Sequence, residues 1–212
     1  NYDVMLGHEV SYKSTEYLLG EAMGFPFDQM ENDNMGLGAT PSKVESTYYD
    51  KTLLSFYARA NYNYDNRYLF TATVRADGST VFSSNKKWGF FPSFSAAWRV
   101  SEEAFMKDIK WISNFKIRLG WGTVGNDNIP NYLSLDLYEA NKYGIGNSSV
   151  TVLNPKQLRN KNLKWEGSNT TNLGIDLGFF DNRLNLTAEF FIKNTNDLLL
   201  SQSLAHITGF DS

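Results

Sequence analysis

Apolar and polar residues alternate with a period of two wherever the chain leaves its Gly-, Asn- and Pro-rich stretches. Between residues 54 and 64, Leu54, Phe56, Ala58, Ala60, Tyr62 and Tyr64 fall on one side of an extended chain. Ser55, Tyr57, Arg59, Asn61 and Asn63 fall on the other. That division predicts a strand with one oily and one wet face. At 67–77, Tyr68, Phe70, Ala72, Val74 and Ala76 oppose Arg67, Thr71, Thr73, Arg75 and Asp77, with Leu69 an exception on the wet side. At 93–100, Phe94, Ala96, Trp98 and Val100 oppose Ser93, Ser95, Ala97 and Arg99; at 115–122, Phe115, Ile117, Leu119 and Trp121 oppose Lys116, Arg118 and two glycines. Near the C-terminus Leu173, Ile175, Leu177 and Phe179 oppose Asn172 and Asp176. Leu184, Leu186, Ala188, Phe190 and Ile192 then oppose Asn185, Thr187, Glu189 and Lys193. About seven strands are expected, at roughly 2–12, 50–64, 67–77, 93–101, 114–123, 168–179 and 183–199.

A soluble β-sandwich alternates in the same way, so the rims of the strands have to decide. The 54–64 run has about the eleven residues that a tilted strand needs to cross a bilayer, and its oily face ends in Tyr62 and Tyr64, just before Tyr68. Tyr and Trp favour the headgroup layer because one end of the ring is apolar and the other hydrogen-bonds. Aromatic residues make up 15% of the chain, with twelve Tyr and five Trp, which suits such a girdle. Mean hydropathy is negative, 20% of residues are charged, and no run reaches the roughly 18 apolar residues of a spanning helix. A barrel hides its membrane signal in alternate positions. The net charge of −3 argues against a nucleic-acid surface, and the lack of cysteine excludes disulfides and thiolate metal sites.

The connections alternate between short and long. Tyr64-Asp65-Asn66-Arg67 and Phe180-Asp181-Asn182-Arg183 read as tight hairpins, since Asn tolerates positive φ. A third connection on that side, opening at Ser101-Glu102-Glu103, predicts a short helix ending near Asn114. The opposite end carries Gly78–Pro92, the 123–166 segment and a 12–50 excursion, all expected as loops. Outer-membrane barrels show this asymmetry. The expected fold is therefore all-β: an antiparallel transmembrane β-barrel segment, with residues 1–212 forming part of one barrel domain. A seven-strand sheet in lipid would leave two unpaired edges, and 205–212 read as a loop, so the chain is expected to be an internal piece of a longer protein.

These residues carry a family resemblance. The run from Leu53 to Tyr64, then Arg67 to Ser79, Trp88-Gly89-Phe90-Phe91-Pro92-Ser93 and Ala97-Trp98-Arg99 closely resemble the barrel of SusC/RagA-type TonB-linked outer-membrane proteins. Lys116 to Gly122, Gly125-Asn126, Asn162-Leu163-Lys164-Trp165-Glu166, Thr171 to Asp176 and Asn194 to Leu200 follow in the expected order, and Leu6-Gly7-His8-Glu9 matches more loosely. The resemblance implies a 22-stranded barrel around an N-terminal plug in the bacterial outer membrane, importing a bulky oligosaccharide or peptide. It further implies a SusD-like surface lipoprotein as lid, contact with TonB through the N-terminal region, and a possible pairing of two transporter-lid units. The plug and the TonB-contacting segment are not part of this sequence.

On that reading the wet face lines the lumen with Arg59, Arg75, Arg99, Lys116, Arg118, Asp176, Glu189 and Lys193. Their cationic bias suits anionic or hydrogen-bonding cargo; the plainer reading, which the sequence favours, is that these charges pair with each other and with the plug. Trp88, Phe90, Phe91, Tyr138 and Tyr143 are expected in the outer loops, where they stack on sugar rings or, the plainer reading, pack on one another or on a lid.

Other motifs fail on context. Gly120-Trp121-Gly122-Thr123-Val124-Gly125 spells a dinucleotide fingerprint, but Asn126-Asp127-Asn128-Ile129-Pro130 follows it where a helix is required. Glu31-Asn32-Asp33-Asn34-Met35-Gly36 faintly resembles a calcium loop, with Met35 at a ligand position and Ser42 in place of the closing Glu; a loop-bound calcium stays an open alternative to the absence of any cofactor. His8 and His206 form no metal pair or hydrolytic constellation, so neither enzyme nor cofactor is expected. Asn147-Ser148-Ser149 and Asn169-Thr170-Thr171 are glycosylation sequons in spelling alone. The alternatives to an importer are a passive or structural outer-membrane barrel and a secreted carbohydrate-binding sandwich, which would bury Leu54, Phe56, Ile117 and Leu186 under a second sheet.

Overall fold

The computed structural model describes residues 1–27, 34–146, 148–157 and 159–201. Seven strands form one sheet in the order β1 (Tyr2–Met23), β2 (Thr40–Tyr64), β3 (Tyr68–Ser79), β4 (Trp88–Arg99), β5 (Ile112–Asn126), β8 (Glu166–Phe179) and β9 (Leu184–Asn196). Pairing from β2 through β9 is antiparallel. Two more strands, β6 (Tyr138–Ile145) and β7 (Ser148–Pro155), pair only with each other.

The short connections take the expected form. Asp65 and Asn66 have φ of 53° and 52°, and Arg67 N–H donates to the Tyr64 carbonyl at 3.0 Å. Asp181 and Asn182 repeat the geometry with φ of 60° and 61°, and Ser113 Oγ accepts from the Asp181 N–H at 2.7 Å. Positive φ at both central residues matches the twist of the flanking strands.

Three expectations about the connections are corrected. The helix expected after Ser101 is two 3-10 turns, Val100–Glu102 and Ala104–Met106, separated by extended backbone at Glu103 (φ −74°, ψ 148°). The Glu103 carboxylate accepts hydrogen bonds from Tyr68 Oη at 2.7 Å and Trp98 Nε1 at 3.1 Å, and these tertiary bonds override a helix too short to stand alone. The 12–50 excursion is largely strand, because β1 runs on to Met23 and β2 starts at Thr40. Its Tyr, Thr and Val residues favour extended backbone. The 123–166 segment contains the β6–β7 hairpin. The calcium-like Glu31-Asn32-Asp33 falls outside the described residues, as do Asn147, His206 and the 205–212 stretch; Asn34 caps the 3-10 turn Met35–Leu37 through the Gly36 N–H.

The chain divides into two compact units. Ser11–Thr52 is one, in which the Tyr12 and Tyr48 hydroxyls meet at 3.1 Å and Lys43 pairs with Glu45 at 2.9 Å. Asn1–Val10 with Leu53–Ser212 is the other and carries the candidate site.

Few side chains are buried among the described residues. The buried hydrophobic residues among those described are Val81, Phe82 and Val100. The sandwich alternative fails on the same observation: Phe56 is 50% and Leu186 55% exposed, so among the described residues no second sheet covers their face.

Candidate functional site

Register assigns every strand residue to a side. One row runs Tyr64, Tyr68, Trp98, Ile117, Ile175 and Ala188; the next runs Tyr62, Phe70, Ala96, Leu119, Leu173 and Phe190. From residue 54 through β9, no Asp, Glu, Lys or Arg occupies this face of the seven-stranded sheet. Aromatic pairs mark its two ends. Tyr64–Tyr68 and Tyr68–Trp98 lie 6.3 and 6.4 Å apart beside the Asp65-Asn66 turn, and Phe56 stacks on Trp88 at 6.1 Å at the far end. Along β3 the ends are Tyr68 and Gly78, the partner of Trp88. Ten steps of about 3.3 Å, tilted by ~40°, separate the belts by roughly 25 Å, the height of a barrel's lipid-facing band.

All eight charged candidates share the opposite face. Arg99, Lys116 and Asp176 lie in one row, Arg118, Gly174 and Glu189 in the next, and Arg59, Arg75 and Lys193 follow by the same alternation. Several of them meet partners on the same face. Arg118 Nε and Nη2 donate to the two Asp176 oxygens at 2.8 and 3.1 Å, Thr187 Oγ1 donates to Asp176 at 3.2 Å, and the Glu189 carboxylate lies 3.9 Å from Arg118 Nη1. Gly174 makes room for this arrangement, since a Cβ there would sit 2.9 Å from the Arg118 guanidinium. Arg75 donates to Asp77 at 2.7 Å, to Glu9 at 3.1 Å and to Ser55 at 2.9 Å, with its guanidinium 5.8 Å above the Tyr57 ring. Arg99 pairs with Glu102 at 3.2 Å. Arg59 bonds Thr73 Oγ1 at 3.2 Å. Among the described residues Arg59, Lys116 and Lys193 form no ion pair with a carboxylate.

The five aromatic candidates do not form one site. Trp88 and Phe90 stand on β4, not in a loop, and face the oily side, 54% and 63% exposed. Phe91, their neighbour, points to the polar side, where Trp165 meets it edge-on at 5.2 Å. Trp165 also packs on Phe82 at 5.2 Å and donates Nε1–H to the Lys87 carbonyl at 2.8 Å. Tyr138 and Tyr143 lie on opposite faces of the β6–β7 hairpin, both exposed, and Tyr143 Oη accepts from Asn154. The dinucleotide-like Gly120–Gly125 run lies inside β5.

Two residues have roles that the sequence does not assign them. Glu103 looked like a first-turn helix acid and instead gathers Tyr68, Trp98 and Arg67 at the short-turn end. Hydrogen bonds from the Tyr68 hydroxyl, then from the Trp98 indole, hold its carboxyl below the usual carboxylate range. Trp165 ties the connections after β3 and before β8. Its signal was the glycine pair Gly89 and Gly125, where a Cβ would sit 2.4 and 2.1 Å from the Phe91 ring.

The family model described as TonB dependent receptor-like, beta-barrel matches residues 2–211. The TonB-dependent receptor SusC of Bacteroides thetaiotaomicron is 41% identical over 166 residues, 76% of this chain and 16% of that protein. The TonB-dependent receptor P3 of Formosa agariphila is 34% identical over 212 residues, all of this chain and 21% of that one. Among solved structures, the RagAB peptide transporter superposes with a TM-score of 0.88 at 28% identity, covering 99% of this chain and 23% of that one. The chain thus spans about a fifth of the length of the relatives it matches.

Proposed function

Because this chain belongs to the TonB-dependent receptor-like β-barrel family, whose members are receptors for transport and not enzymes, we propose that it forms part of the wall of an outer-membrane nutrient importer. The observation that carries the proposal is the division of one sheet into an uncovered, charge-free face about 25 Å tall and a charged face. Lipid covers the first. The second lines a lumen too wide for wall side chains to fill, with Arg59, Lys116 and Lys193 left to meet a plug or a cargo. The Asp-Asn turns face the periplasm and the long connections face outward.

The whole protein, on this reading, takes up an oligosaccharide or peptide in the bacterial outer membrane, driven through TonB and closed by a SusD-like lipoprotein, with two such units able to pair. SusC among the relatives and the RagAB peptide transporter among the structures support that direction. The test is uptake by cells carrying the full-length gene. Labelled oligosaccharides and peptides are offered with and without TonB and the adjacent lipoprotein; the reading expects accumulation that needs all three. Accumulation unchanged without TonB would instead establish a passive barrel.

A further inference from the structure

We infer that the lipid-facing side holds one phospholipid acyl chain at a fixed place, in a trough floored by alanines along β2 and β3. The inference rests on the lipid-facing reading above and goes beyond it by singling out one spot on that face. Register sets Ala60 against Ala72, Ala58 against Val74 and Ala76 against Phe56, so an alanine recurs in each of three successive rows of the same two strands. Two adjoining grooves open there. The first, about 570 Å³ and lined almost wholly by apolar atoms, lies over Ala60, Ala72 and Ala96, with Val4 on one side and Phe94 and Trp121 on the other. The second, about 370 Å³, lies over Ala58 and Ala76 between Leu6 and Phe90.

The surroundings specify the occupant. Stacked Tyr62 and Phe70, 6.5 Å apart, close the trough at the short-turn end, and Phe56 with Trp88 stands at the other. From Phe70 to Ala76 is six residues, roughly 20 Å of strand and, tilted, about 15 Å of depth, one leaflet's share of a ~30 Å hydrocarbon layer. The trough lies between the two aromatic belts, where only hydrocarbon reaches it. A gap there forfeits dispersion contacts on its walls, and a flexible chain recovers them better than a rigid neighbouring surface does.

Native mass spectrometry of the full-length receptor, after prolonged exchange into a delipidating detergent, tests this. Wild type is expected to keep one phospholipid per barrel. The double variant Ala60→Phe with Ala72→Phe, which fills the trough, is expected to keep at least tenfold less, while Ala188→Phe on the same face of β9 keeps it. Equal retention in wild type and the double variant, or none in wild type, overturns the inference. Should the double variant not assemble, quenching of Trp121 by bromine-labelled phospholipid decides, read as the difference between wild type and Trp121→Phe. Saturation at a low mole fraction of labelled lipid supports the site, and quenching that rises in proportion to the labelled fraction overturns it. Disulfide-linked pairs formed through Ala60→Cys would show a second copy seated in the trough and would also overturn it. A receptor that stays dissolved without detergent would sink the lipid-facing reading itself, whereas a detergent-dependent receptor with an empty trough sinks only this inference.

Discussion

The two sides of the same strands differ more than any two strands do. On the side of Phe70, Phe94, Leu119 and Leu173, neighbouring rows offer rings and aliphatic chains that nothing covers. On the side of Arg75, Arg118 and Asp176, one residue away along the backbone, guanidinium and carboxylate groups meet at 2.7 and 2.8 Å. Backbone geometry and hydrogen-bond ladder are shared, so strand propensity cannot account for the difference. The medium against each side does: an unpaired charge is prohibitive in hydrocarbon, and a paired one is tolerated where water or a plug lies opposite.

The largest effect should come from moving a charge across. In the full-length receptor, Ala72→Arg puts a cation near the middle of the charge-free face and should cost about 2–4 kcal/mol, whereas Thr71→Arg next door should cost less than about 1 kcal/mol. Equilibrium unfolding in detergent or lipid measures both, and equal costs would erase the distinction between the sides. The hairpins come second. Asn66 has positive φ, so Asn66→Val should cost about 1–2 kcal/mol and Asn66→Gly close to nothing. The charged side predicts a smaller quantity. A double-mutant cycle on Arg118→Ala and Asp176→Ala should give a coupling of about 1 kcal/mol, modest because both groups are partly solvated.

Smallest is a pH effect. Glu103 binds its proton less readily folded than unfolded, so the stability it supplies is present above the ordinary carboxylate range and fades as pH falls through its lower folded value. Acidification from neutral pH should therefore lower the Tm of wild type more than that of Glu103→Gln. Parallel curves would remove Glu103 from the account.

The alternation of two carried most of the fold in the sequence. The positions of the seven long strands and both Asp-Asn turns follow from residue type and spacing, because one side of each strand answers to a single medium. What did not follow depended on partners distant in the chain. Ser101-Glu102-Glu103 spells a helix start, and only Tyr68 and Trp98, over thirty and five residues back, pull Glu103 out of it. Trp88 and Phe91 looked equivalent as loop aromatics, yet β4 begins at Trp88 and sends them to opposite sides. The extension of β1 and β2 into the 12–50 segment was hidden because no oily face is needed where two strands pair alone.

The central claim is that lipid touches one side of this sheet and not the other. Single cysteines at positions 93 to 98 of β4 in the full-length receptor, spin-labelled in a bilayer, test it through collision with oxygen and with a water-soluble nickel complex. Positions 94, 96 and 98 should favour oxygen, and 93, 95 and 97 should not, in strict alternation. Labels at 94, 96 and 98 that collide freely with nickel, or that neither reagent reaches, would contradict the account.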